Sequence, residues 1–222
     1  MRLRSVLIFL PIVIPALLSG CSSGPNFVAK YEPWRAEEEN ACLASGVLAR
    51  TNYLKTRSAL GGPSVCGTER PFEMSAADNG RVSLKPTALL RCPMIPQIER
   101  WVKGTVGPAA RQYYGAELVE LTVAASYSCR PMNHVSGAKL SEHGYANAID
   151  ISAFTLSDGR KILVRTGWRG NASDQAFLRQ VHQGSCREFT TVLGPNYDSN
   201  HHDHFHLDLA RHGIGGLKGI CK

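Results

Sequence analysis

The sequence predicts an α+β fold: a small, mainly antiparallel sheet flanked by helices. Three observations lead there. Strand-like and helix-like stretches are mixed without a regular βαβ alternation. Residues 204–209, His-Phe-His-Leu-Asp-Leu, alternate polar and apolar, as a strand with one buried face does. Asn79-Gly80, between two apolar stretches, carries a hairpin signal.

The elements follow in order. Pro33 suits the first position of a helix running from Trp34 to Ala49. Glu37, Glu38 and Glu39 favour its N-terminal dipole, and Trp34, Cys42, Leu43 and Leu48 form its buried side. Gly61-Gly62-Pro63 breaks structure. Phe72 to Ser75 and Arg81 to Leu84 are the arms of the hairpin. A second helix runs from Pro93 to Gly104, with Met94, Ile98, Trp101 and Val102 as its apolar stripe. A shorter one, Pro108 to Tyr114, stops at Gly115. Glu117 to Ser126 is a strand, followed by a loop over 132–142. Ala148 to Phe154 is a buried strand that turns through Ser157-Asp-Gly159 into Lys161 to Arg165. Ala172 to Gln183 is a helix capped by Asn171 or Ser173. Phe189 to Leu193 and Phe205 to Leu209 are the last strands.

The first twenty residues stand outside this fold. Arg2 and Arg4 precede an apolar run, Val6 to Leu18, and small residues follow it. The run is short for a membrane span and is broken by Pro11 and Pro15. Residues 1–20 therefore read as a signal peptide. Leu18-Ser-Gly-Cys21 resembles the lipobox of bacterial lipoproteins, which implies acylation of Cys21 and a membrane anchor. Ser22 would then allow outer-membrane sorting, so the expected location is the periplasm. Residues 21–32 read as a polar tether, and 33–222 as one domain.

Charge and cysteines agree with export. The chain carries +7; without residues 1–20 it loses two arginines and no acid, leaving +5. That balance suits an anionic wall polymer or membrane face. No dense Lys/Arg run marks a nucleic-acid patch. Setting Cys21 aside, Cys42, Cys66, Cys92, Cys129, Cys186 and Cys221 allow three disulfides, with the pairing open. None has Cys-x-x-Cys spacing, which argues against a structural zinc knuckle. Oligomeric state is not legible.

The chemistry lies in two stretches. The run His201-His-Asp-His-Phe-His206 holds four histidines in six residues. In a strand, His204, His206 and Asp208 share one face, with Phe205, Leu207 and Leu209 on the other. The second stretch is Ser141 to Asp150. Asp150 sits inside an apolar strand, where a carboxylate is costly unless paired or metal-bound. His143 lies seven residues earlier, so the chain must turn between them for both to reach one point. Gly144, Ala146 and Ala148 permit that turn. His143, Asp150 and one histidine of the second run make two nitrogens and an oxygen, the composition of a catalytic zinc site with an open position. The sheet would then carry one zinc ion. Such a set also suits iron, though mononuclear iron oxygenases usually space carboxylate and histidine two apart. His134, His182 and His212 read as surface histidines.

Arg130-Pro131, Ser141-x-His143, Ala148-x-Asp150 and His204-x-His206 resemble the zinc peptidase group of D-Ala-D-Ala metallopeptidases, murein endopeptidases and lysostaphin-type enzymes. More closely, Ser-Tyr-Ser-Cys-Arg, Ser-Glu-His-x-x-Ala-Asn-Ala-Ile-Asp and Asp-His-Phe-His-Leu-Asp resemble bacterial extensin-like C-terminal domain proteins, over most of 33–221. The resemblance implies His143, Asp150 and His206 as zinc ligands, and Arg130 as a stabiliser of the oxyanion or holder of a substrate carboxylate. For the general base His204 and Asp203 stand level, with His201 behind. Asp203 occupies the position of the D-Ala-D-Ala peptidases' glutamate, and Ala146 stands where the family usually has glycine. The implied activity is hydrolysis of peptide bonds in peptidoglycan stem peptides or cross-links. The alternative is a peptidoglycan-binding or structural envelope lipoprotein without turnover.

Overall fold

The computed structural model describes residues 25–48, 51–216 and 218–222. The signal-peptide reading of 1–20 and the acylation of Cys21 fall outside the described residues. The elements are α1 (Trp34–Ala44), β1 (Leu54–Thr56), β2 (Leu60–Gly61), β3 (Gly67–Thr68), β4 (Phe72–Ala77), β5 (Val82–Leu90), α2 (Met94–Trp101), α3 (Gly107–Tyr114) and β6 (Leu118–Ala125). Then come β7 (Ala148–Leu156), β8 (Lys161–Leu163), α4 (Val164–Gly167), α5 (Ala172–Ser185), β9 (Thr191–Leu193), β10 (Phe205–Asp208) and β11 (Ile220–Cys221). No described helix is long and apolar enough to cross a membrane.

The protein is mixed helix and sheet, and the sheet is mostly antiparallel. Nine strands form it, in the order β1-β4-β5-β6-β7-β10-β9-β11, with β8 also on β7. It is therefore not the small sheet expected. The added strands are two or three residues long, too short to show a period of two. Two pairs, β5–β6 and β9–β11, are parallel. The first encloses a crossover through α2 and α3, so one βαβ unit sits inside the antiparallel frame.

Helical segments predicted as separate are one continuous body. A π-helical turn, Val102–Val106, joins α2 to α3. The wider turn keeps Trp101 and Val102 in register with Val106, Ala109 and Ala110, and all are buried. The hairpin sits where Asn79-Gly80 predicts: Asp78, Asn79 and Gly80 take φ of 51°, 57° and 83°. Helix α1 is shorter than expected and stops at Ala44.

Helices α2, α3 and α5 cover one face of the sheet. Trp101 packs edge-on against Phe154, and Phe154 against Phe177. Ile149 and Ile151 of β7 and Phe205 and Leu207 of β10 face this core. Their alternate neighbours, Asp150, His206 and Asp208, project from the opposite face. That face is covered by the 127–147 segment and α1. Arg35 of α1 grips Glu142 through two hydrogen bonds and stacks on Tyr145. Arg91, nearly fully buried, pairs with Glu39 of α1 at 2.9 Å. The expected tether is partly built in: Phe27 is buried, and Val28 bridges Lys139 in parallel register.

The six described cysteines pair, as Cys42–Cys92, Cys66–Cys129 and Cys186–Cys221. The first ties α1 to the start of α2 across 50 residues. Replacing Cys42 and Cys92 together by alanine should lower stability by roughly 4 kcal/mol, the chain-entropy value for that loop. The urea midpoint reads the loss.

Candidate metal centre

Asp150 of β7 and His206 of β10 are direct partners across the antiparallel ladder. Their side chains leave the same face, so they meet without distorting either strand. His143 arrives from a 3-10 turn, Glu142–Tyr145, whose N-cap Ser141 accepts from the His143 backbone amide. Ala146 then takes φ 53°, in the left-handed region, and returns the chain to β7. That conformation favours glycine, so alanine holds it at some cost in strain. Gly144 is needed for space: a Cβ would stand 2.5 Å from Leu140 Cδ1.

Three side chains converge. His143 Nε2 lies 3.1 Å from Asp150 Oδ2, His206 Nδ1 lies 2.9 Å from Asp150 Oδ1, and the two nitrogens are 3.2 Å apart. Donors held about 2.0–2.1 Å from one tetrahedral ion stand roughly 3.3 Å from each other. The spacing therefore fits a single ion with nitrogen and oxygen ligands. The far nitrogens are also engaged. His143 Nδ1 is 2.5 Å from the Ser126 carbonyl, which only accepts, so Nδ1 donates there and Nε2 is the nitrogen turned to Asp150. His206 Nε2 donates to Asp208 Oδ2 at 2.8 Å. Outer partners of this kind orient metal-binding histidines.

The electrostatics ask for a cation. Asp150 and Asp208 are both buried, and no lysine or arginine among the described residues pairs with either. The arginine partner that could have explained Asp150 is not there. Among the described residues, imidazoles are the only cationic side chains that answer these carboxylates. Burial pushes the Asp150 carboxyl up, but His143 and His206 together hold it well below its ordinary 3.8. Burial pushes His206 down, yet hydrogen bonds to Asp150 and Asp208 outweigh it and raise its pKa to about 10. Without a metal, His206 is an imidazolium between two carboxylates.

The other predicted residues surround this cluster. His204 Nε2 is 3.6 Å from Asp150 Oδ1, and its Nδ1 is 2.9 Å from Asp203 Oδ1. The His204 side chain is 16% exposed and that of Asp203 43%, so His204 faces the cluster and Asp203 stands behind it. His201 is buried, bonded through Nδ1 to Asp198 at 2.6 Å, with its ring against those of His204 and His206. Burial lowers the His201 pKa more than Asp198 raises it. The Arg130 guanidinium forms no ion pair among the described residues and donates to the Pro131 carbonyl at 3.4 Å. A groove of about 840 Å³ joins Arg130, His143, Asp150, His201, His204 and His206. Sequence reasoning gave no role to Asp208 or Asp198. The His-x-Asp spacing in a strand was the available signal for Asp208. Nothing local marks Asp198.

Fold and site together define a sheet protein with a buried two-histidine, one-carboxylate cluster at the floor of a groove. The chain belongs to the extensin-like protein C-terminus family, whose profile matches residues 40–222. No curated protein and no solved structure matches it.

The metal-free protein gains stability from charged His206. That gain is complete below the ordinary imidazole value of 6.5 and fades as pH rises towards 10. A metal must displace the proton on Nδ1, so its binding tightens over the same range. Zinc should therefore raise the melting temperature more at pH 8 than at pH 6, by calorimetry. Asp150→Asn should abolish the shift at both.

Proposed function

We propose that this protein is a zinc metallopeptidase that hydrolyses peptide bonds in peptidoglycan stem peptides or cross-links. We further propose that it is exported and anchored through Cys21, as the N-terminal sequence suggests. The observation that carries the reading is the three-donor cluster opening on a groove that also holds His204 and an unpaired Arg130.

The residues divide the work as follows. His143 through Nε2, Asp150, and His206 through Nδ1 would hold the ion. Zinc at such a site supplies Lewis-acid polarisation and a water of lowered pKa. His204 is the preferred general base: it faces the cluster, and Asp203 fixes its ring through Nδ1, leaving Nε2 to take a proton and return it to the leaving amine. Asp203 is then the orienting acid rather than a rival base. His201, held by Asp198, walls the site and fixes the rings of His204 and His206. Arg130 offers a fixed positive charge to an oxyanion or a substrate carboxylate. The disulfide at Cys129 holds the backbone next to it.

Purified sacculi and defined muropeptides test the reading, with products identified by mass spectrometry and zinc counted by elemental analysis. The wild type should carry about one zinc and release peptide products. Asp150→Ala should lose both. His204→Ala should keep its zinc and lose roughly 10²–10⁴-fold in kcat. A folded wild type that holds zinc and binds sacculi without releasing product would instead point to a non-catalytic wall-binding protein. A wild type without zinc sinks the metal reading.

A further inference from the structure

We infer that Lys30 and Lys139, with Arg130, form a subsite for a substrate segment that carries several carboxylates. The inference rests on the peptidase reading above and names the class of peptide its groove takes.

Three chain segments meet beside the candidate metal centre, and backbone hydrogen bonds fix their register. Segment 28–30 runs parallel to 139–141. The Val28 amide donates to the Ala138 carbonyl at 2.8 Å, and the Leu140 amide to the Val28 carbonyl at 2.9 Å. Segment 130–132 lies antiparallel on the other side. The Met132 amide donates to the Lys139 carbonyl at 2.8 Å, and the Ser141 amide to the Arg130 carbonyl at 3.0 Å. Side chains alternate along segments paired in this way. Phe27, Ala29, Cys129 and Leu140 go to one side and pack together with Cys66 and Tyr145. Val28, Lys30, Arg130, Met132 and Lys139 go to the other side, and all five line the groove. This register sets Lys30 and Arg130 on either side of Ser141, two residues before His143, and Lys139 between Val28 and Met132.

Three cations on one face of adjoining segments repel one another unless an anion answers them. Among the described residues none of the three is in an ion pair. Glu32 and Glu142, the acids nearest in sequence to the two lysines, are both committed to Arg35, at 2.7 and 2.6 Å. Both lysines are exposed. The occupant of this part of the groove therefore has to bring the negative charge itself. It also meets apolar surface, because Val28 is 54% and Met132 49% exposed beside the lysines. A peptide with free carboxylates and short aliphatic side chains matches both features. Ser141 caps the turn that carries His143, so such a peptide lies with its backbone leading to the candidate ligands. A flat membrane surface fits the wall of a groove less well than an extended chain does.

Peptide affinity measured by calorimetry tests this, with His204→Ala as the parent so that bound peptide is not cut. The probes are a synthetic stem peptide with free carboxylates and the same peptide with its carboxylates amidated. Lys30→Ala and Lys139→Ala should each weaken binding of the free acid about fivefold, the upper end for an exposed ion pair. The double variant should lose roughly twentyfold, as independent losses add. Lys30→Arg and Lys139→Arg keep the charge and should keep the parent's affinity. The amidated peptide should bind all of these proteins alike. Losses that are equal for the two peptides, or no loss at all, overturn the inference. So do alanine variants that let go of phosphatidylglycerol vesicles yet keep the peptide, which assigns the lysines to a membrane surface. A parent that binds the free acid, beside a wild type that never cuts it, keeps the inference and ends the peptidase reading. Wild-type cleavage with unaltered affinity in the lysine variants does the reverse.

Discussion

The register that places Asp150 opposite His206 is the constraint on which the rest depends. Side chains alternate across a strand, so a slip of one residue in β7 or β10 would send one of them to the helix face. Ile149, Ile151, Phe205 and Leu207 resist that slip. Each is fully buried against the helices, and reversing them would put four apolar side chains in the groove and turn Asp150, His206 and Asp208 into the core. The hydrophobic face of the sheet thus holds the polar face in place. The energy comes from packing, and the geometry of the site is its consequence.

The third donor needs a different device. His143 lies on a turn, and turns are less confined than paired strands. Here the turn is fixed from three sides. Ser141 caps it, the Ser126 carbonyl accepts a hydrogen bond from His143 Nδ1, and Arg35 holds Glu142 from α1. Helix α1 is in turn stapled by Cys42–Cys92 and by the buried Arg91–Glu39 pair. An element remote in sequence therefore contributes to where a ligand nitrogen stands. The segment just before it, with Phe27 and Val28, packs along the same loop and adds one wall of the groove.

Legibility in the sequence tracked the range of the interactions. The hairpin at Asn79-Gly80, the strand read at 148–154 and the helix read at 172–183 rest on local chemistry; the structure shows them, with the strand running on to Leu156, the helix to Ser185 and Asn171 as its cap. The π turn was missed because Gly104 reads as a stop, whereas burial of Val102 and Val106 on one side carries the helix through it. The short edge strands were missed because two or three residues show no period. His212 was set aside as a surface histidine, since its partner Thr191 belongs to another strand.

The sequence alone determined the donor types, the alternation that puts His204, His206 and Asp208 on one face, and the membership of the extensin-like family. Those are properties of spacing and side-chain chemistry, and the chain carries them unfolded. Only the tertiary structure decided which residue pairs with which. It paired the cysteines, set Asp203 behind His204 rather than beside the cluster, and left Asp150 with imidazoles in place of an arginine. The cysteine pairs and the partners of Asp150 depend on distances between segments remote in sequence, and the packing of the sheet sets those distances.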